Sequence, residues 1–178
     1  MGCINSERVS AFSSVVTTII TGLGLWYIYT QVVQSNTHKS WDNYNTMNNV
    51  YRQMYVQLQH NDYEGLRKNC LNYPSLNHKE KAWIRSYYNL YAEEFDLDDA
   101  GLLPENMMDE TISRGFRLNL QTYPSIAQGF DDLLLNQAYD KKSPFAIHVK
   151  KEIQMTGKLP NCENKIDGHS NENLGKVE

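Results

Sequence analysis

The sequence predicts an all-α protein, with one N-terminal transmembrane helix continuing into a juxtamembrane helix and a small helical bundle. Three observations predict it. An uncharged run near the N-terminus, apolar from Val9 to about Tyr29, has the length of a spanning helix. Downstream, the apolar–polar alternation that strands require is missing. Prolines and an asparagine cap then fall where helices begin, ahead of apolar residues at helical spacing.

Taken in order, residues 1–8 form a short tail, 9–33 the spanning helix, 34–156 a helical soluble domain and 157–178 a polar, disordered tail. No charged side chain lies between Val9 and Thr37, and Trp26, Tyr27 and Tyr29 read as an interfacial aromatic belt. A cleaved signal would end in small residues, whereas this run ends in aromatics and glutamine, so the segment is expected to be retained. The opening MGCINS also fits an N-myristoylation signal, with Cys3 placed for palmitate. A single acyl chain binds membranes only marginally, so the helix is the anchor and the motif reads as coincidence.

Stepping about 100° per residue, Ser10, Ser14, Thr17, Thr21, Gly24, Gln31 and Ser35 fall on one side of this helix, with Ile28 interrupting them. Phe12, Val15, Ile19, Leu23 and Trp26 lie opposite. Hydroxyls in a spanning helix either bond their own backbone carbonyls or meet another helix or water. Taken together the stripe is expected to mediate self-association or to line a pore, with Ser14, Thr17 and Thr21 at the lumen, Ile28 as a constriction and Gln31 at the mouth.

No proline or glycine interrupts the chain between Gly24 and Gly65, so the spanning helix is expected to run on beyond the bilayer. There Trp41, Tyr44, Asn48, Tyr51, Tyr55 and Leu58 repeat at three and four residues, flanked by Met47, Val50 and Met54. Two readings stand: an intermolecular seam whose register Asn48 restricts, or a face packed on the chain's own domain. Beyond Gly65, four further helices are expected. Asn77 with Glu80 forms a capping box ahead of Trp83, Tyr87, Leu90, Tyr91 and Phe95, and Pro104, Pro124 and Pro144 each stand where a first-turn proline would start a helix.

A formal charge of −4 on 178 residues opposes a broad grip on nucleic acid, and no DNA partner is expected. Cys3, Cys70 and Cys162 have neither disulfide-framework nor metal-ligand spacing, and no N-x-S/T acceptor occurs. These features favour a cytosolic C-terminal domain on a single-pass protein of the inner (cytoplasmic) membrane, although Arg8 on one side and His38 and Lys39 on the other leave orientation weakly specified. No cofactor or metal is expected. Asp96, Asp98 and Gly101 fit part of a calcium loop, but Ala100 and Met107 stand at two ligand positions, and a solvated helix end accounts for the acids. Phosphate loops, nucleophile elbows and HExxH are absent, and no catalytic residue is assigned.

Arg52 and His60, on the expected continuation of the juxtamembrane helix, resemble a stretched form of the R-x(4–6)-H signature of HEPN ribonucleases, in which arginine holds a phosphate and histidine exchanges a proton. Here the spacing is one residue too long. The layout from VSAFSSVVTTIITGLGLWYIY to FAIHVKKEI, with this degraded pair, resembles the small transmembrane accessory proteins of type VI-B CRISPR–Cas systems. That resemblance implies a homo-oligomeric ring enclosing a membrane pore that supports RNA-guided defence against phage. The partners it implies are further copies of the chain, membrane lipid, and a CRISPR effector nuclease or its RNA products. The residues alone leave two other functions open, a membrane-tethered adaptor that docks a soluble partner and a HEPN-like ribonuclease.

Overall fold

The computed structural model describes residues 6–68 and 73–157, with side chains from Val16 onward. Among the described residues the architecture is all-helical, with no strand. The MGCINS motif up to Asn5 and the polar tail from Lys158 lie outside the described residues; the tail expected for residues 1–8 is already helical at Ser6.

Helix α1 runs unbroken from Ser6 to Gln57, 52 residues, or about 78 Å at 1.5 Å per residue. It carries the apolar segment and the juxtamembrane face on a single rod, as the missing glycine and proline predicted. It ends by overwinding: the amides of Leu58, Gln59 and His60 donate to the carbonyls three residues back, at 3.2, 3.1 and 3.0 Å. The cause is Leu58, which turns into the core at 3% exposure. His60 therefore does not continue the helix. It adopts an extended conformation, φ −77° and ψ 151°, ahead of a short 3₁₀ turn and α2 (Glu64–Arg67).

The bundle is built around α3 (His78–Asp99), whose capping box forms as predicted. The Asn77 side chain accepts from the Glu80 amide at 3.0 Å. The buried Glu80 carboxylate accepts from the amides of Asn77 and Leu66, both at 2.9 Å. One acid thus starts α3 and fastens α2 to it. Gly65 is required by that closeness, since a Cβ there would lie 2.5 Å from a Glu80 oxygen. At the other end Gly101, with φ 67°, lets the amide of Leu102 reach Leu97 O at 2.8 Å and its own amide reach Asp98 O at 2.9 Å, a Schellman closure. Asp96 and Asp98 are consequently helix-end residues, and no group of three or more potential metal ligands occurs among the described residues.

Helix α4 (Ser113–Thr122) is entered through a π-helical turn, Met108–Ile112. This corrects the expectation for Pro104, which does not start the helix. The chain first passes Asn106 at φ 61°, and helical backbone begins at Met107. Pro124 stands one residue ahead of α5 (Ser125–Leu135). Pro144 is the first residue of α6 (Pro144–Met155), where Ser143 caps the Ala146 amide at 3.1 Å.

An aromatic stack forms the core. Trp83, Tyr87, Phe116 and Tyr91 lie almost parallel, with successive centroids 5.4, 5.9 and 4.2 Å apart. The Trp83 indole N–H donates to Met54 O at 3.0 Å, fastening α3 to α1. On α1 the seam residues divide accordingly. Leu58 is buried, Tyr51 and Tyr55 pack against the core and Trp41 remains 45% exposed. At Tyr51, Tyr55 and Leu58 an intermolecular seam is replaced by an intramolecular one, because α3 and α4 already cover that face.

Replacing Glu80 by Ala strands two amides in a buried site and is expected to destabilise the fold by about 2–4 kcal/mol, measured by urea unfolding of the full chain in detergent. The opposite sign is expected at Gln137, which closes α5 at φ 58°, with Ala138 N donating to Leu133 O at 2.9 Å. A left-handed non-glycine residue costs about 1 kcal/mol, so Gln137→Gly should raise the melting temperature in thermal unfolding.

Candidate functional site

Of the residues singled out in the sequence, the membrane-segment set lies on the free part of α1. Among the described residues this is the single stretch long and apolar enough to cross a membrane, and no part of its most apolar window is buried. From Val16 to Lys39 the side chains are exposed, with Thr30 alone partly shielded. Ser10 and Ser14 occupy helical positions, but their side chains lie outside the described residues. The Thr21 hydroxyl donates to Thr17 O at 2.9 Å, the local bond that keeps a threonine satisfied in an apolar medium. Gly24, Ile28 and Gln31 are exposed, and a Cβ added at Gly24 would meet nothing within 4 Å.

Arg52 and His60 are not brought onto one helix. Arg52 is exposed midway along the juxtamembrane part of α1, and His60 is exposed beyond its end. The arrangement in which an arginine and a histidine on consecutive turns grip one phosphate is not formed.

What the fold does assemble is a cleft of about 200 Å³ between the juxtamembrane part of α1, α3, and the π turn with the start of α4. Its walls include Tyr44, Asn48 and Tyr51 from α1, Tyr87, Tyr91 and Glu94 from α3, and Ile112 and Phe116 from the third side. Three of the sequence-predicted seam residues, Tyr44, Asn48 and Tyr51, thus line a cavity. The π turn belongs to this site, since such turns re-aim side chains and place Thr111 and Ile112 at the rim.

Asn119 organises the wall. Its amide N–H groups donate to the Tyr51 hydroxyl at 2.7 Å and the Tyr87 hydroxyl at 2.9 Å, and its carbonyl accepts from the Tyr55 hydroxyl at 3.4 Å. One side chain therefore joins α1, α3 and α4. Burial pushes the Tyr51 and Tyr87 phenols up, so both stay neutral. Glu94 is the ionisable group that matters. Burial, reinforced by the neighbouring Glu93, pushes its carboxyl up to about 7.

Behind Tyr91 lies a second polar cluster. The Tyr91 hydroxyl bonds His148 Nε2 at 2.8 Å and Ser113 Oγ at 3.2 Å. A serine beside a histidine suggests nucleophilic chemistry, but Ser113 is 1% exposed, so its hydroxyl is enclosed by the core rather than open to a cleft. Burial holds the His148 imidazole below its ordinary value, which keeps it a neutral partner in the core. The Arg117–Glu152 ion pair closes the far side of α4.

No protein-family model, curated protein or solved structure matches the chain. The functional reading accordingly rests on its own residues. Glu94, Asn119 and the cleft were missed in the sequence. Glu94 did leave a signal there, for it follows Tyr87, Leu90 and Tyr91 at helical spacing, an acid set into an apolar face.

A raised folded pKa means that Glu94 binds its proton more tightly in the folded state. Its stabilising contribution is full below the unfolded value of 4.5 and is lost as pH rises through about 7. His148, pushed down, acts in the opposite sense, so the comparison must be between variants. Glu94→Gln is expected to be more stable than wild type above neutral pH, with the advantage disappearing towards pH 4.5, in thermal unfolding across pH.

Proposed function

We propose that the chain is a single-pass membrane protein whose spanning segments assemble with copies of themselves, hydroxyl side inward, into an oligomer that permeabilises the membrane. The observation that carries this reading is the relation between two sides of one unbroken helix. At 100° per residue, the positions that face the bundle, from Ser40 to Leu58, centre about 120° round α1 from the stripe of Ser10, Ser14, Thr17, Thr21 and Gly24. The bundle leaves the stripe side open. Copies can meet there without displacing their own soluble domains.

The same side continues beyond the membrane as Ser35, Lys39, Asp42, Thr46, Gln53 and Gln57, all exposed, a wettable vestibule for a lumen lined by Thr17 and Thr21. Ile28 narrows it. The membrane is the inner one and the bundle cytosolic in this reading, from cysteine usage and the missing glycosylation acceptors. The setting, RNA-guided antiviral defence beside a CRISPR effector nuclease, rests on the resemblance to type VI-B accessory proteins alone.

The cleft favours a second reading, a tethered receptor or adaptor whose spanning segment is only an anchor. One experiment separates the two. With Thr17 and Thr21 both replaced by leucine, insertion is retained, and leakage of a small dye from vesicles carrying the full chain is expected to fall at least tenfold, with loss of the disulfide cross-linking that cysteines placed at Gly24 give in the otherwise wild-type chain. Undiminished leakage removes the lumen assignment. A chain that neither leaks nor cross-links as wild type leaves the receptor.

A further inference from the structure

We propose that the cleft between α1, α3 and α4 binds a small organic cation, a protonated amine carried on an apolar ring or short chain. The proposal does not depend on whether the spanning segments associate.

Size sets the first limit. A dry cavity of about 150 Å³ takes a benzene ring, so the cleft, at about 200 Å³, holds a ring with a short amino arm. The walls, from Tyr44, Tyr51, Ile112 and Phe116, are predominantly apolar and suit such a body.

Charge sets the second. This bundle satisfies its buried acids internally: two backbone amides hold Glu80, and Arg117 holds Glu152. Glu94 has no ion pair or hydrogen bond of that kind among the described residues, although it is half-buried in the cleft wall. A partly desolvated carboxylate without a counter-charge is costly, and a cation entering the cleft supplies what the chain omits. Lysine, arginine and histidine are absent from the lining. The ionisable groups that face Glu94 are Tyr44 and Tyr51 from α1 and Glu93, Tyr87 and Tyr91 from α3, while α4 contributes none. The side-chain oxygens of Asn48 and Thr111 are further acceptors for an ammonium.

Two alternatives fail on geometry. A divalent metal ion needs about six oxygen ligands, and one carboxylate in an apolar wall does not provide them. An ammonium headgroup of a lipid is out of reach. Tyr44, the lining residue nearest the membrane, lies 11 residues past Val33, about 16 Å along the helix, whereas the headgroup layer is only about 5–8 Å deep. A free amine remains.

The test uses the full chain in detergent and three isosteric probes: phenethylamine, 2-phenylethanol and phenylacetate. At about pH 8, where the Glu94 carboxylate is ionised, calorimetry is expected to show phenethylamine bound at least tenfold more tightly than 2-phenylethanol, with phenylacetate weakest. At about pH 5 the preference for amine over alcohol should shrink to near parity. Glu94→Gln, checked for unaltered helicity, should abolish the preference at both pH values while still binding the alcohol. Equal binding of amine and alcohol at the higher pH, or no binding of either, overturns the proposal, and so does a preference that survives Glu94→Gln.

Discussion

The backbone ladder of α1 is the constraint on which everything else depends. From Ser6 to Gln57 no residue breaks the i to i−4 hydrogen bonds, so the apolar segment and the first wall of the bundle are two ends of one object. Its lower end is fastened at several points. Trp83 donates to Met54 O, Asn119 holds Tyr51 and Tyr55, and Leu58 is buried in the core. Asn43 Nδ2 adds a bond to Leu102 O at 3.0 Å, tying the loop after α3 to the rod nearer the membrane segment. A flexible tether needs none of this. Apolar residues exposed along the upper half, Ile19, Ile20, Leu23 and Leu25 among them, make this stretch long and apolar enough to cross a membrane.

How the bundle treats its acids distinguishes structural groups from the cleft. Glu80 is almost fully buried and yet is satisfied, because each carboxylate oxygen accepts a backbone amide that helix geometry leaves without an intrahelical partner. Glu152 meets the same requirement with an arginine. Glu94 is held by neither device, and its proton is retained to about pH 7 as the result. An unfilled requirement of this kind lowers stability above neutrality, so its persistence beside an open cavity marks a place where structure alone does not explain the residue.

Much of the architecture was legible in the sequence because it depends on local rules. The absence of glycine and proline from Gly24 to Gly65 gave the continuous rod, and Asn77 with Glu80 gave the start of α3. Local rules also failed in specific places. Pro104 suggested a helix start, but Asn106 in the left-handed region and a π turn carry the chain past it, a tertiary adjustment that packs Met108 into the core. Spacing placed Trp41, Tyr44, Asn48, Tyr51, Tyr55 and Leu58 on one face, but could not say whether the face meets another chain or its own. Long-range packing on α3 and α4 decides that for the last three. His60 fell off the expected helix because Leu58 is drawn inward two residues earlier. The cleft was invisible for a related reason: its three walls are separated by tens of residues, and only Glu94, an acid on an aromatic stripe, carried a local trace.

The position of the cleft on α1 gives it a mechanical meaning. Tyr44, Asn48 and Tyr51 form one wall, so an occupant of the cavity would touch the rod itself. Val16 lies 35 residues from Tyr51, about 50 Å along the helix. A tilt of about 5° at the cleft would therefore displace that end of the apolar segment by about 4 Å, comparable to the shifts by which packed helices exchange partners. Such a displacement follows occupancy only if the two positions of α1 bind the occupant with different affinity, and Glu94 sits on the opposing wall, where its distance from α1 changes with the tilt. If the proposed cation binds, a charge pair made or lost there would act on the apolar segment through an unbroken helix, with no intervening joint in which the motion could dissipate.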